Sequence, residues 1–434
     1  MQNIYNFLKN VCKKAKNNLV ENPIVFFVFL VLFTIPLPYI YNSISVILLG
    51  IYSVYYAIVN KQKPVFTLVY YLFFALFALM LLSYFWTIDE KLTLSAISKS
   101  VSIILIPIFF SFFNTQTIQQ KILKCFAITG IFYSWFFLLR AVINYCVTQN
   151  TEVFFYHGLV PQDVNAIHIS VYIATSFFAL LIMFKNTWFK NVLLVVEFIV
   201  LILLSSKNIT VLFLILLALY AIIKISKNKN LSIKTIGIGI FSLLIVGIFI
   251  SQKIFNRFKE ETNTDVKTTI VAENGDTLFV NVVSIKDAWN KEQFKKDDYL
   301  TGFSLRTYQI RIFFETMQEN QAYLTGFGLN ATDSKIKQKR IQYNLYEGYD
   351  VFNFHNQYLQ FFSELGIFGF LIIVLILIIN IKNSICRKDF IHFSFAILMI
   401  SLFLTESFLA RQRGIVFFTT MYFIFNGFMY KKTV

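Results

Sequence analysis

The chain has 434 residues, 57% of them hydrophobic and only 14% charged, with a formal net charge of +16. That composition excludes a soluble globular protein of this length, because the apolar residues gather in runs long enough to cross a bilayer. The basic excess is not read as a nucleic-acid surface either, because it falls at the ends of those runs, as in the cytoplasmic loops of a polytopic membrane protein.

A basic, polar stretch with Lys9, Lys13, Lys14 and Lys16 comes first. The first apolar run begins near Pro23 and, with no recognisable small-residue cleavage site, reads as a signal-anchor span. Apolar segments bounded by polar clusters then predict about twelve membrane helices, over residues 23–40, 42–59, 65–85, 94–113, 122–147, 165–184, 188–204, 209–225, 233–250, 361–381, 390–409 and 416–430. The prolines of "TIPLPYI" interrupt the first pair. With a cytoplasmic N-terminus, nineteen Lys/Arg residues lie at inner ends, against six (Lys91, Lys99, Arg140, Lys207, Arg411, Arg413) in outer loops or spans. Both termini are therefore expected in the cytoplasm. The four cysteines are scattered and read as packing residues.

Residues 251–350 are the only stretch large enough to build a structure outside the bilayer. "DVKTTIVAENGDTLFVNVVS" predicts a β-hairpin, with β-branched residues flanking Asn274-Gly275, a pair favoured in type I′ turns. "SLRTYQIRIFFETMQEN" predicts an amphipathic helix with Leu305, Tyr308, Ile312 and Phe313 on its apolar face. The expected architecture is an all-α polytopic membrane protein with one large periplasmic loop subdomain between spans nine and ten. Spans one to nine occupy 1–250, the subdomain 251–354 and the last three spans 355–434.

Several polar groups stand where hydrocarbon is expected. In "FHNQYLQFFSELGIFGF", Asn356, Gln360 and Glu364 are four apart, one stripe of a helix facing the bundle or a water-filled cavity. His355 lies at the helix N-terminus, where the dipole favours an anion and disfavours imidazolium. A cap with interfacial polar residues is the plainer alternative. Asp163, Asn165 and His168 of "QDVNAIHIS" form another polar cluster, lining a cavity or capping a helix. Lys207, Arg411 and Arg413 oppose the positive-inside preference, so either a local anion offsets them or they snorkel to headgroups. Arg306 and Arg311 are five apart and do not share a helical face. Arginine suits phosphate through its fixed fork of donors, with a headgroup contact as competitor. Gly326-Phe327-Gly328 is a lone G-x-G, sufficiently explained by a turn back toward the membrane. The four histidines form no metal-ligand cluster, and no G-x-S-x-G elbow is present.

In this order, these elements resemble the bacterial O-antigen ligase family and the related O-antigen polymerases. The resemblance is carried by Ser304-Leu305-Arg306, by Gly326-Phe327-Gly328 and above all by His355-Asn356-Gln357-Tyr358-Leu359 through Glu364, Gly366, Ile367 and Gly369. "LLSSKN" resembles the family's turn of small residues and arginine, with Lys207 in the arginine's place, and "LTESFLARQRG" resembles its penultimate-span ending. The resemblance implies a metal-independent, inverting glycosyltransferase of the bacterial inner membrane, without cofactor, whose site faces the periplasm. Its donor would be an undecaprenyl-diphosphate-linked glycan and its acceptor lipid A–core, among membrane lipids and with no nucleic acid. His355 and Arg306 would be catalytic. Lys207, Arg311, Arg340, Arg411 and Arg413 would bind diphosphate, with Asn356, Glu364, Gly326, Gly328, Asn165 and His168 in support. A polymerase using the same donor is the nearer alternative. A glycan transporter, prompted by Arg140, Glu197 and Glu406 within or beside spans, is the farther one.

Overall fold

The computed structural model describes residues 22–113, 116–227, 267–271, 277–349 and 353–427. The expected span over 233–250, the Asn274-Gly275 turn and both termini lie outside the described residues. The first helices are α1 (Pro23–Phe33), α2 (Tyr39–Val59), α3 (Leu68–Leu82), α4 (Glu90–Ser100) and α5 (Ser102–Phe110). Then come α6 (Gln116–Thr148), α7 (Ala166–Met183), α8 (Trp188–Leu203) and α9 (Lys207–Lys227). Three helices close the chain, α13 (Gln357–Cys386), α14 (Phe390–Thr405) and α15 (Gln412–Asn426).

Between α9 and α13 lie β1 (Lys267–Val271), β2 (Thr277–Val282), α10 (Ile285–Asn290), β3 (Asp298–Tyr299), α11 (Gly302–Glu319) and α12 (Asp333–Gln342). Seven helices among the described residues are long and apolar enough to cross a membrane, α4 and α5 counting as one. The chain is thus a helical, multi-pass membrane protein. With 11 residues, α1 is only about 16 Å long at 1.5 Å per residue, well short of the hydrocarbon core. Pro36 and Pro38 separate it from α2, so the first span ends short of the expected residue 40.

Burial sorts the helices. Ile40, Ile44, Ile47, Ile51, Tyr55 and Ile58 of α2 are exposed at helical spacing, a face suited to lipid. In α15, by contrast, every residue from Arg413 to Asn426 is buried, which makes it a central post of the bundle. Polar side chains inside the bundle find partners across helices, as expected where no water is available. Ser176 donates to Glu197 at 2.9 Å, Thr129 and Tyr172 hydroxyls meet at 2.7 Å, and His392 Nε2 lies 2.7 Å from Asn380 Oδ1. Arg140 donates to the Gly158 carbonyl at 3.0 Å. Two of the charges that prompted the transporter reading therefore have local structural partners.

The outer segment has its own apolar cluster, built from Phe294, Leu300, Tyr308, Ile312, Phe313, Met317, Tyr343 and Phe354. It is separate from the bundle core. The buried face of α11 carries Tyr308, Ile312, Phe313 and Met317, at the i, i+4, i+5, i+9 spacing of one helical side. Strands β1 and β2 pair antiparallel with Val271 opposite Thr277, and β3 adds to β2 in parallel. A charged network ties the subdomain together. Arg311 and Lys339 both bond Glu315, at 2.9 and 3.0 Å, and Tyr343 donates to it at 2.7 Å. Burial opposes ionisation of Glu315, but the bonds from Tyr343, Arg311 and Lys339 prevail and hold its carboxyl below the usual range.

Candidate active site

The site is set by a break in α13. Gly366 takes φ 68° and ψ −166°, so the helix divides into a short outer piece and a long membrane piece. A break frees backbone groups that must be satisfied inside a membrane protein. Here the Gly326–Gly328 turn satisfies them. Phe327 N–H donates to Ser363 O at 2.8 Å, Gly328 N–H to Glu364 O at 2.9 Å, and Ile367 N–H to Tyr323 O at 2.9 Å. The same turn is held from the other side, where Ile88 N–H donates to Phe327 O at 3.0 Å and Trp86 Nε1 to Thr325 O at 2.9 Å. Glycine is required on both partners. A Cβ on Gly366 would sit 2.0 Å from Leu324 O, and one on Gly326 would sit 2.5 Å from Glu364 C. Gly366 therefore receives this turn at close range.

Gly366→Ala is accordingly expected to destabilise the protein by at least ~1–3 kcal/mol, from the positive φ and the clash together. The midpoint of thermal unfolding in detergent measures it, and a wild-type midpoint would contradict the account.

The outer piece of α13 presents the polar residues. Asn356 caps it, its side chain accepting from Tyr358 N–H at 3.0 Å and Leu359 N–H at 3.1 Å. The helix starts at Gln357 rather than at His355. Gln360 donates to Glu364 at 2.5 Å, and Glu364 also accepts from the Asn330 backbone N–H, so this stripe is internally paired. His355 just precedes the cap at φ 43°, its N–H bonded to Asn353 Oδ1 at 3.0 Å. Its Nδ1 lies 3.4 Å from Glu406 Oε2. Glu406 is the first residue beyond α14, and its other oxygen lies 3.7 Å from an Arg306 terminal nitrogen. One carboxylate thus stands between the arginine of α11 and the histidine before α13.

Beside them opens a cavity of about 570 Å³, lined by Arg306, Glu406, Lys207, Ser205, Ser206 and Tyr156 among others, with Ile167, Val211 and Phe303 as apolar wall. Lys207 begins α9. Its neighbour Asn208 donates to Ser401 O at 3.0 Å and to Thr405 Oγ1 at 2.9 Å, which fastens that helix end to the end of α14. Arg306 is loosely engaged. Its terminal nitrogens reach the Gly302 and Thr405 carbonyls only at 3.3 Å each.

The other expected cations are placed elsewhere. Arg413 is buried and bonded to Asp163 Oδ2 at 2.7 Å and Leu37 O at 2.8 Å, and it stacks on Tyr39 at 4.2 Å. Arg311 serves Glu315 and the Lys291 carbonyl, and stacks on Tyr343 at 4.3 Å. Arg340 belongs to the last turn of α12 in the outer subdomain, and Arg411 is exposed at the start of α15. None of the four lines the cavity. Asn165 caps α7 by accepting from Ile167 N–H at 2.8 Å, and His168 packs its ring on Phe408 at 4.3 Å. In the sequence, Glu406 stands only as a charge beside a span. The available signal was a carboxylate where an apolar run ends, within the segment that also carries Arg411 and Arg413.

No curated protein matches the chain. The family model of the O-antigen ligases matches residues 191–374, from α8 through Lys207, Arg306, both turn glycines and His355 to the middle of α13. Residues 191–374 are thus similar to the O-antigen ligase family, the resemblance that the motifs in that stretch led one to expect.

Proposed function

We propose that the protein is a glycosyltransferase of the inner membrane that moves a glycan from an undecaprenyl diphosphate carrier to lipid A–core on the periplasmic side, with both termini in the cytoplasm. The observation that supports it best is the loosely held Arg306 beside Lys207 in a cavity that also has an apolar wall, next to His355. Two cations suit a diphosphate, and the apolar wall suits the first isoprene units. A diphosphate is already a good leaving group, so the main requirement is to stabilise the charge that develops on it. Arg306 offers a fork of donors and Lys207 a point charge.

The acceptor hydroxyl oxygen attacks the anomeric carbon from the face opposite the carrier. The bond from that carbon to the diphosphate oxygen breaks, and its electron pair leaves with undecaprenyl diphosphate. The hydroxyl proton passes to Nε2 of His355, and the anomeric configuration inverts. Asn356 and Glu364 keep the outer piece of α13 in place, as do Gly326 and Gly328.

Deletion of the gene followed by electrophoresis of the surface polysaccharide tests the reading. Loss of all polymer on lipid A–core, with lipid-linked polymer accumulating, is the expected result. Core capped by a single repeat would instead make the protein a polymerase with the same donor chemistry, and an unchanged ladder would overturn both.

A further inference from the structure

Glu406 is shared. Its Oε1 lies 3.7 Å from Arg306 and its Oε2 3.4 Å from Nδ1 of His355. Charge-assisted hydrogen bonds are normally 2.7–2.9 Å, so each contact is made at less than full strength. The side chain is largely buried, at 11% exposure, so the carboxylate depends on these two partners. Residue 406 lies just beyond the end of α14 with extended backbone angles (φ −147°, ψ 141°), so its side chain is not held in the last turn of that helix. A carboxylate only accepts, so the histidine nitrogen facing it is the donor, which in the neutral ring leaves the lone pair on Nε2.

On the glycosyl-transfer reading above, we propose that Glu406 is a positioning residue that changes partner when donor binds. The donor diphosphate takes over Arg306 and repels the carboxylate, which closes on His355 Nδ1–H. There it orients the ring and balances the imidazolium formed when Nε2 accepts the acceptor's proton. Arrival of the diphosphate would thus ready the base. The other charged or titratable groups on this cavity are Lys207, Tyr156 and Tyr299.

The test compares full-length variants in two assays: binding of farnesyl diphosphate in detergent, and transfer rate at saturating donor in membranes that hold the native lipid-linked glycan. Glu406→Gln is expected to bind farnesyl diphosphate at least as tightly as wild type, since a competitor for Arg306 loses its charge. Its transfer rate should fall about 10²-fold. A purely structural role would lower both together, and that result, or an unchanged rate, overturns the proposal. Combined with His355→Ala, the substitution should slow transfer no further than His355→Ala alone, whereas additive losses also overturn it. If Glu406→Gln does not accumulate, Glu406→Asp keeps the charge and withdraws it by one methylene. Binding should then hold while transfer slows about 10-fold, and an unchanged rate is fatal to the idea. If wild-type membranes transfer no glycan, the underlying reading fails. The binding comparison then still decides whether Glu406 competes for Arg306.

Discussion

Replacing His355 by alanine is expected to slow glycan transfer by about 10²- to 10⁴-fold, the range for loss of a positioned general base. The protein should still reach the membrane folded. The imidazole stands outside both helix caps: Asn356 caps α13, and the contact of His355 with α14 runs through Glu406, just beyond that helix. Position 355 has φ 43°, a left-handed conformation in which histidine and asparagine are over-represented. His355→Asn is therefore the sharper variant, because it suits the backbone angle and removes the base. Both variants should match wild type in membrane abundance and lose transfer. Wild-type transfer in either would remove the base from the scheme.

Arg306→Gln is the second large effect. With the guanidinium gone, Lys207 alone faces the leaving diphosphate, and transfer should fall by about 10²- to 10³-fold, as when one donor to developing charge is deleted. Arg306→Lys should recover part of that loss, since it restores charge without the fork. Arg311→Gln provides the contrast. Arg311 is spent on Glu315, the Lys291 carbonyl and the Tyr343 ring, so its loss should lower thermal stability and leave the rate per folded molecule near wild type. Measuring transfer against folded protein for both variants separates the roles. Equal losses of rate would mean that both arginines reach the phosphates.

The two arginines lie five residues apart on α11, and no periodicity could have ranked them. What separates them is tertiary. Arg311 meets a carboxylate one helical turn on and a ring from beyond α12, whereas among the described residues Arg306 meets two carbonyls at long range and a carboxylate already shared with His355. Arg413 was equally open from sequence. It is taken by Asp163, a residue 250 positions away that only the packing of α7 against α15 brings within reach.

Hydrocarbon thickness and helical rise act locally, so apolar runs were enough to announce the helices and the multi-pass architecture. The spacing of Tyr308, Ile312 and Phe313 likewise announced the buried face of α11, and the paired glycines announced a turn. Charge pairing is not local. Which cations line the cavity, where α13 breaks and why Glu406 matters all follow from contacts between segments far apart in the chain. Only the folded arrangement places Arg306 and Lys207 on the cavity and draws Arg311 to Glu315 and Arg413 to Asp163, contacts that no linear pattern records.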